Sequence, residues 1–515
     1  MALVDSILLG KTATTTSDIA AIAAGAEVRL DPPALAGMAA VHQEINRALA
    51  ADKVIYGLTT GVGDLVTQRL SSPQIAAVQL NMLKSHACGT GADLAPREVR
   101  AMMAVMIKSL LQGYSGVSPS LVTSMAMMLN RGVIPWAPAK GSVGYLIATA
   151  HIGLAVFGHG KAWYQGELLP GGEALRRAGI EMRTPGPREG HALVSGTYEI
   201  TALGCLAVEE FTALLPVADA AGAISLEALK GNIRGYDARL HALRPHPGQL
   251  ETARILRCLL QDSEILDRYR DFRVQDALSL RCIPQIHGAV RDVLAWCRQV
   301  LTTEINSVTD NPVFLVEDGE LQVLPGGNGH GAPTALCLDA LAIAVAQLST
   351  ASQARSDRLT NSHLSGLPAF LIQEGEAYSG MMIPPYVAAA LAGENRALAS
   401  PASVHTVSTC AGQEDHVSMG VTAARKALDA LQNAVDIVAI ELLCATQAID
   451  FHRPLRPARG TRAVLAVIRR EVPFRQRDDE MYPDMLAIRR LIADGRLSQA
   501  LEPVLADGAA TGARL

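Results

Sequence analysis

A mainly α-helical fold is predicted: a central bundle of long helices with a small mixed region at the N-terminus. Three observations predict it. The chain is rich in Ala and Leu, which are strong helix formers, while aromatic residues make up only 4%. Val421 to Phe451 repeats apolar residues at three- and four-residue steps with no Gly or Pro inside, and Leu336 to Leu359 is similar. Helices of that length bury their stripes against one another, so a bundle follows.

The elements justify themselves in chain order. Ala26–Leu30 has a strand-like pattern, and Asp31-Pro32-Pro33 opens a helix running through Ala50. Val54 to Gly63 is a glycine-rich loop, in which Gly57, Gly61 and Gly63 permit unusual backbone angles. Residues 73 to 132 carry helical signals. Tyr164 to Pro187 is an exposed excursion with Gly, Pro and charge. From about 200 to 450 long amphipathic helices dominate, and the Arg-rich tail after Pro454 forms a shorter helical cap. The expected regions are therefore 1–200, 201–450 and 451–515.

Composition narrows the function. At 515 residues and 49% apolar content, the chain can bury a large core. A formal net charge of -5 without a basic block points to neither nucleic acid nor an anionic membrane. Eight scattered cysteines show no CxxC spacing, so neither zinc nor a disulfide framework is expected, and a reducing cytoplasm fits. The N-terminus has no secretory pattern, and no apolar run reaches about 18 residues.

The chemistry sits in a series of blocks: Tyr56-Gly57-Leu58-Thr59-Thr60-Gly61-Val62-Gly63, the run ending Ser85-His86, Gly141-Ser142-Val143-Gly144 followed by Tyr145 and the segment to His151, Glu189 to Thr197, Arg273 to Cys282, Glu304 to Pro312, Gly326-Gly327-Asn328-Gly329-His330, and Gln413 to Met419. Together they resemble the histidine/phenylalanine ammonia-lyase family over roughly residues 50 to 450. The family's fold, a long-helix bundle of the ammonia-lyase/fumarase-like type, is implied with it. In that family Ala-Ser-Gly follows GSVG and cyclises into a methylidene-imidazolone, the electrophile. Here the flanks match and three residues are missing. Either the tripeptide is absent from the gene, or a cyclised residue is omitted from the sequence as written. Unbroken numbering, and Tyr145 where the family has Asp, favour absence and an expectation of no cofactor.

The resemblance implies roles. Tyr56 is the candidate base; an ordinary Tyr pKa near 10 would have to be lowered for that. Arg281 is the candidate carboxylate fork, since a guanidinium offers two parallel donors. QEDHVSM is the histidine-type form of the last block, which makes Glu414 the partner of an imidazole-like ring. His86, Met382 and Gln413 fit the same pocket, and Asn311 and Asp310 fix a loop beside it. A Met on a helix is more often core filler. Ser195 replaces an Asn that holds the electrophile's carbonyl, and a hydroxyl cannot supply two donors. Leu278 replaces a Tyr that acts on the amino group. Gly329 replaces a Phe wall, leaving space for a bulkier group on nitrogen. Tyr145 stands beside the loop.

The implied activity is a carbon–nitrogen lyase acting on a histidine-like amino acid, or on its trimethylammonium betaine as in an ergothionase-like branch, to give a urocanate-like acid without the methylidene-imidazolone. The remaining readings are an ordinary histidine ammonia-lyase carrying the group, and a catalytically silent homologue. The partner is a small molecule, no metal is implied, and the family's homotetramer is expected.

Overall fold

In a computed structural model, residues 5–51, 72–373 and 377–511 are described. Tyr56 and its glycine-rich loop lie outside them. The chain divides into two compact units. One comprises Met1–Glu209, Cys297–Asp339 and Pro401–Arg425; the other comprises Glu210–Trp296, Ala340–Ser400 and Lys426–Leu515. The units interleave along the chain because the helices Tyr198–Ala228, Ile283–Ile305, Ala332–Thr360 and Gly420–Asp450 each give residues to both. Boundaries at residues 200 and 450 therefore do not coincide with them.

The first unit opens with the mixed region. Ser6–Leu9 pairs in parallel with Glu27–Leu30, and the helix Thr16–Ala24 connects them. Thr15 and Asp18 form a reciprocal capping box at the start of that helix, and Gly25 ends it in the left-handed region at φ 119°. The next helix is Pro32–Ala50, with Asp31 as its N-cap, as the Asp-Pro-Pro run predicts. Three further helices, Ser72–His86, Pro96–Leu110 and Pro119–Arg131, occupy the stretch with helical signals. Thr90–Asp93 then pairs antiparallel with Pro138–Lys140, which ties the segment after His86 to the Gly141 loop. The exposed excursion contains a hairpin, Lys161–Tyr164 with Glu167–Pro170, and a short helix, Gly171–Arg177.

The second unit is built on a buried ion pair. Arg355 donates to both oxygens of Glu441, at 2.5 and 2.8 Å, and all four groups of this cluster are fully or nearly fully buried. Ser225 and Ser352 donate to the same carboxylate, at 2.7 and 2.6 Å. A buried pair keeps its charge only when the remaining lone pairs are satisfied in this way. The cluster fixes three helices together, and Arg355 also donates to Ser279 O at 3.3 Å. Tyr236 donates to Leu280 O at 2.8 Å, and Asp276 accepts from Asn232 N at 2.5 Å. The segment carrying Arg281 is thereby anchored at three points.

Two helices, Glu189–Ala228 and Ala332–Thr360, are long and apolar enough by length and composition to cross a bilayer. Neither contains an uninterrupted apolar run of about 18 residues: Glu199, Glu209 and Asp219 break the first and Asp339 the second. Of each apolar window 72% is buried, and buried core helices pass the same test.

Candidate functional site

The Gly141 loop is a tight turn closed on itself. Ser142 Oγ accepts from Gly144 N at 3.2 Å and donates to Tyr145 O at 3.1 Å. Leu146 then starts the helix Ile147–Val156 from φ 81° and ψ -49°. A branched residue with positive φ is strained and persists only where its surroundings hold it. They do so here. Met419 N donates to Val143 O at 2.8 Å. A Cβ on Gly144 would lie 2.5 Å from Ser418 Oγ, and one on Gly331 would lie 3.2 Å from the same atom. A side chain at either position would require Ser418, and at Gly331 also Ile200, to move.

Ser195 ends the short helix Glu189–Val194 and is nearly buried. Its Oγ accepts from Asn311 N at 3.1 Å. Asn311 N also donates to Asp310 Oδ1 at 2.7 Å, and Asn311 Oδ1 accepts from Gly326 N at 2.8 Å. Asp310 is fully desolvated and paired with Arg188 at 2.7 Å. Arg188 Nη1 donates to His191 Nδ1 at 2.5 Å, so His191 accepts there and carries its own proton on Nε2. Below this network Thr197 donates to Glu304 at 2.5 Å, and burial raises the Glu304 pKa while that hydrogen bond opposes the rise. Burial likewise pushes the phenol of Tyr198 up; it donates to Ala192 O at 3.1 Å.

Gly329 approaches the same wall. A Cβ there would meet Thr309 O at 3.2 Å and Gly196 N at 4.0 Å. Next to it, His330 Nε2 and His416 Nδ1 lie 3.0 Å apart, with the rings tilted by 37°. Glu414 bridges to Thr409 through both backbone groups, and Thr409 Oγ1 donates to its carboxylate at 3.3 Å. Gln413 is exposed. His86, at the end of its helix, is half-buried, with Nδ1 3.0 Å from Ser85 Oγ. Gly89, just after it, packs on the loop: a Cβ would meet Ile147 Cγ2 at 2.8 Å.

The first unit thus brings together the segments of Tyr145, Ser195, Asn311, Gly329 and Glu414, with the chain after His86 against the loop. Arg281 and Met382 belong to the second unit. Arg281 ends the short helix Leu278–Arg281; its Nε is buried and has no hydrogen-bond partner among the described residues. Leu278 is 61% exposed. Met382 lines an open cavity of about 670 Å³ with Asp357, His363 and Tyr386. Among the described residues no three His, Cys, Asp or Glu side chains converge as metal ligands. Two features escaped the sequence reasoning: the histidine couple, and Ser418 as the contact for two glycines. Both lie inside the quoted blocks, but only the fold pairs them.

A family model described as aromatic amino acid lyase matches residues 14–470. Among curated relatives, a histidine ammonia-lyase of Caldanaerobacter subterraneus subsp. tengcongensis is 43% identical over 89% of this chain and 90% of its own. Among solved structures, histidine ammonia-lyase of Trypanosoma cruzi superposes with a TM-score of 0.90 at 36% identity, over 96% of this chain and 95% of that one. Ergothionase of Treponema denticola, in complex with desmethyl-ergothioneine sulfonic acid, superposes with a TM-score of 0.90 at 26% identity, over 96% and 99%. The mainly helical ammonia-lyase fold is confirmed.

These comparisons overturn the expectation of no cofactor, because histidine ammonia-lyases 43% identical to the chain carry the methylidene-imidazolone. That group forms on Ala-Ser-Gly. Here Gly144 passes directly to Tyr145 and Leu146, and the turn is already closed by Ser142. The residues of this loop do not fit its precursor, so no step below runs through it.

Proposed function

The chain belongs to the aromatic amino acid lyase family and is a carbon–nitrogen lyase of histidine ammonia-lyase type; we propose that its substrate is an α-amino acid bearing an imidazole-like ring. The product is the trans-α,β-unsaturated acid. The observation that carries this reading is the QEDHVSM segment, whose Glu414 carboxylate is steadied by Thr409 and whose Met419 is tied to the Gly141 loop.

In the proposed reaction the β C–H bond breaks and its electron pair forms the Cα=Cβ bond. The Cα–N bond breaks in turn, and its pair leaves with nitrogen. Tyr56 takes the β-proton. Glu414 accepts a ring N–H and favours the positively polarised ring, which acidifies the neighbouring C–H. Arg281 binds the carboxylate with its fork. His86 and Gln413 border the ring, and Asn311 and Ser195 hold the loop beside it. Tyr145 flanks the reacting centre.

A second reading is a betaine of the same acid, with trimethylamine as the leaving group. Gly329, where the family has a ring, and the ergothionase neighbour both favour it. We further infer a homotetramer acting in the cytoplasm. Phe272, Val274 and Leu278, 53%, 97% and 61% exposed, are large apolar side chains on one exposed segment, which a subunit contact would cover. In such a tetramer Arg281 need not come from the chain that supplies Glu414.

Incubating the full-length protein with histidine, its Nα-trimethyl betaine and ergothioneine, and following ultraviolet absorbance of a conjugated acid, tests both readings. Product from histidine supports the first, and product from the betaines alone supports the second. No conjugated acid from any of the three sinks the lyase reading.

A further inference from the structure

Among the described residues, the loop that carries Glu414 is tied to other segments of its unit at His416 and at Met419. Among the described residues the Glu414 carboxylate bonds only to Thr409, a member of the same loop, and Val417 N bonds to Thr406 of that loop. Ties to other segments begin at Met419 N to Val143 O and at Ser418 between Gly144 and Gly331. The tie nearest Glu414 in sequence is the 3.0 Å contact from His416 Nδ1 to His330 Nε2. His330 is itself set by a turn, its N–H donating to Gly327 O at 2.9 Å.

Two facing ring nitrogens at that distance share one proton. If His330 Nε2 donates, His330 Nδ1 is a free acceptor and His416 carries its other proton on Nε2. In the opposite tautomeric pair, reached only when the outer proton is exchanged with solvent as well, His416 Nδ1 donates, His330 carries its other proton on Nδ1 and His416 Nε2 is the free acceptor. Each ring thereby fixes the tautomer and orientation of the other.

We propose that His330 and His416 are positioning residues for the elimination: one imidazole couple, joined by a shared proton, sets the angle at which the Glu414 loop meets the Gly326–His330 segment. This rests on the lyase reading given above. Misplacing a reacting group by about 1 Å can cost about 100-fold. The couple is half-exposed, so its loss should spare the fold.

The test compares His330→Phe, His416→Phe and the double variant in the full-length protein. Each single variant is expected to lower kcat by roughly 10- to 100-fold with KM nearly unchanged, because the carboxylate is gripped elsewhere. The double variant should lose no more than the worse single, as residues acting as one unit do. Additive losses, or unchanged kcat in either single, overturn the proposal. Nitrogen-15 NMR of histidine-labelled wild-type protein reads the couple without turnover. A ring N–H coupled to nitrogens of two imidazoles, absent from both singles, supports it, whereas two independent imidazoles overturn it. If the wild type converts no substrate, the lyase reading fails by itself, and the NMR result still decides whether the couple exists.

Discussion

Ser195 Oγ accepts a hydrogen bond from the backbone N–H of Asn311 at 3.1 Å, joining the end of one short helix to the loop that precedes Gly329. The resemblance places this serine at the position of a family asparagine. In this chain its oxygen is spent on the scaffold. Asn311 N has a second acceptor in Asp310 Oδ1 at 2.7 Å, so removing the hydroxyl does not leave the donor bare. Ser195→Ala should therefore cost only about 0.5–1.5 kcal/mol of stability, the net worth of one ordinary hydrogen bond. Urea unfolding measures it. A loss above about 3 kcal/mol would mean that the serine anchors far more than this loop.

If Arg281 binds the carboxylate as proposed, Arg281→Lys separates charge from geometry there. Lysine keeps the positive charge but has no planar fork, so one charge-assisted hydrogen bond is lost, about 1.5–3 kcal/mol. The expected result is kcat/KM lower by roughly 10- to 100-fold, most of it in KM. Steady-state kinetics on the active substrate checks it. An unchanged KM would place the carboxylate elsewhere.

Much of the fold was legible because it follows from local rules. The Asp31-Pro32-Pro33 start, the unbroken stripe of Val421 to Phe451 and the Ala26–Leu30 strand are written in consecutive residues, and each element lies where its pattern predicts. The division into units was not legible, since it depends on which distant segments pack together. The site divides in the same way. Motif blocks singled out Glu414, Ser195 and Arg281 as candidates. The Ser195–Asn311 bond and the His330–His416 contact span 116 and 86 residues, and no periodicity records such a pairing. Leu146 illustrates a further limit: leucine carries no signal for positive φ, yet the residue holds φ 81° beside a loop that Met419 and Ser418 contact at Val143 and Gly144.

Glu199 gives the protein a pH dependence that needs no substrate. It is buried in the first unit, with Arg425 at 4.0 Å, and burial raises its pKa from 4.5 to about 7 while Arg425 opposes the rise. The folded state therefore holds a proton that the unfolded chain releases near 4.5. Its contribution to stability is fully present below about pH 4.5 and is lost as pH rises through about 7. The loss at about pH 8 is of order 3 kcal/mol at most. Glu199→Gln, which cannot ionise, should be more stable than wild type at about pH 8 and should flatten the stability profile between about pH 5 and 8. Urea midpoints across that range decide it. Parallel profiles for the two proteins would show that Glu199 is not the titrating group.

Gly329 offers the sharpest test of the two substrate readings. Among the described residues, a Cβ at this position meets Thr309 O at 3.2 Å and Gly196 N at 4.0 Å, so a side chain requires that carbonyl to give by a few tenths of an ångström. Gly329→Ala should thus fold normally, with a stability change within about 1 kcal/mol. Gly329→Phe restores the wall that the family places there. If glycine makes room on nitrogen, the ring should obstruct a trimethylammonium group far more than a primary amine. Overlap of even one methyl with a packed wall costs about 1–3 kcal/mol, so the ratio of kcat/KM for the betaine to that for the free amino acid should fall by roughly 10- to 100-fold. The measurement is that ratio in wild type and in both variants. A ratio that does not move when the ring is installed would show that the substrate nitrogen does not approach this residue.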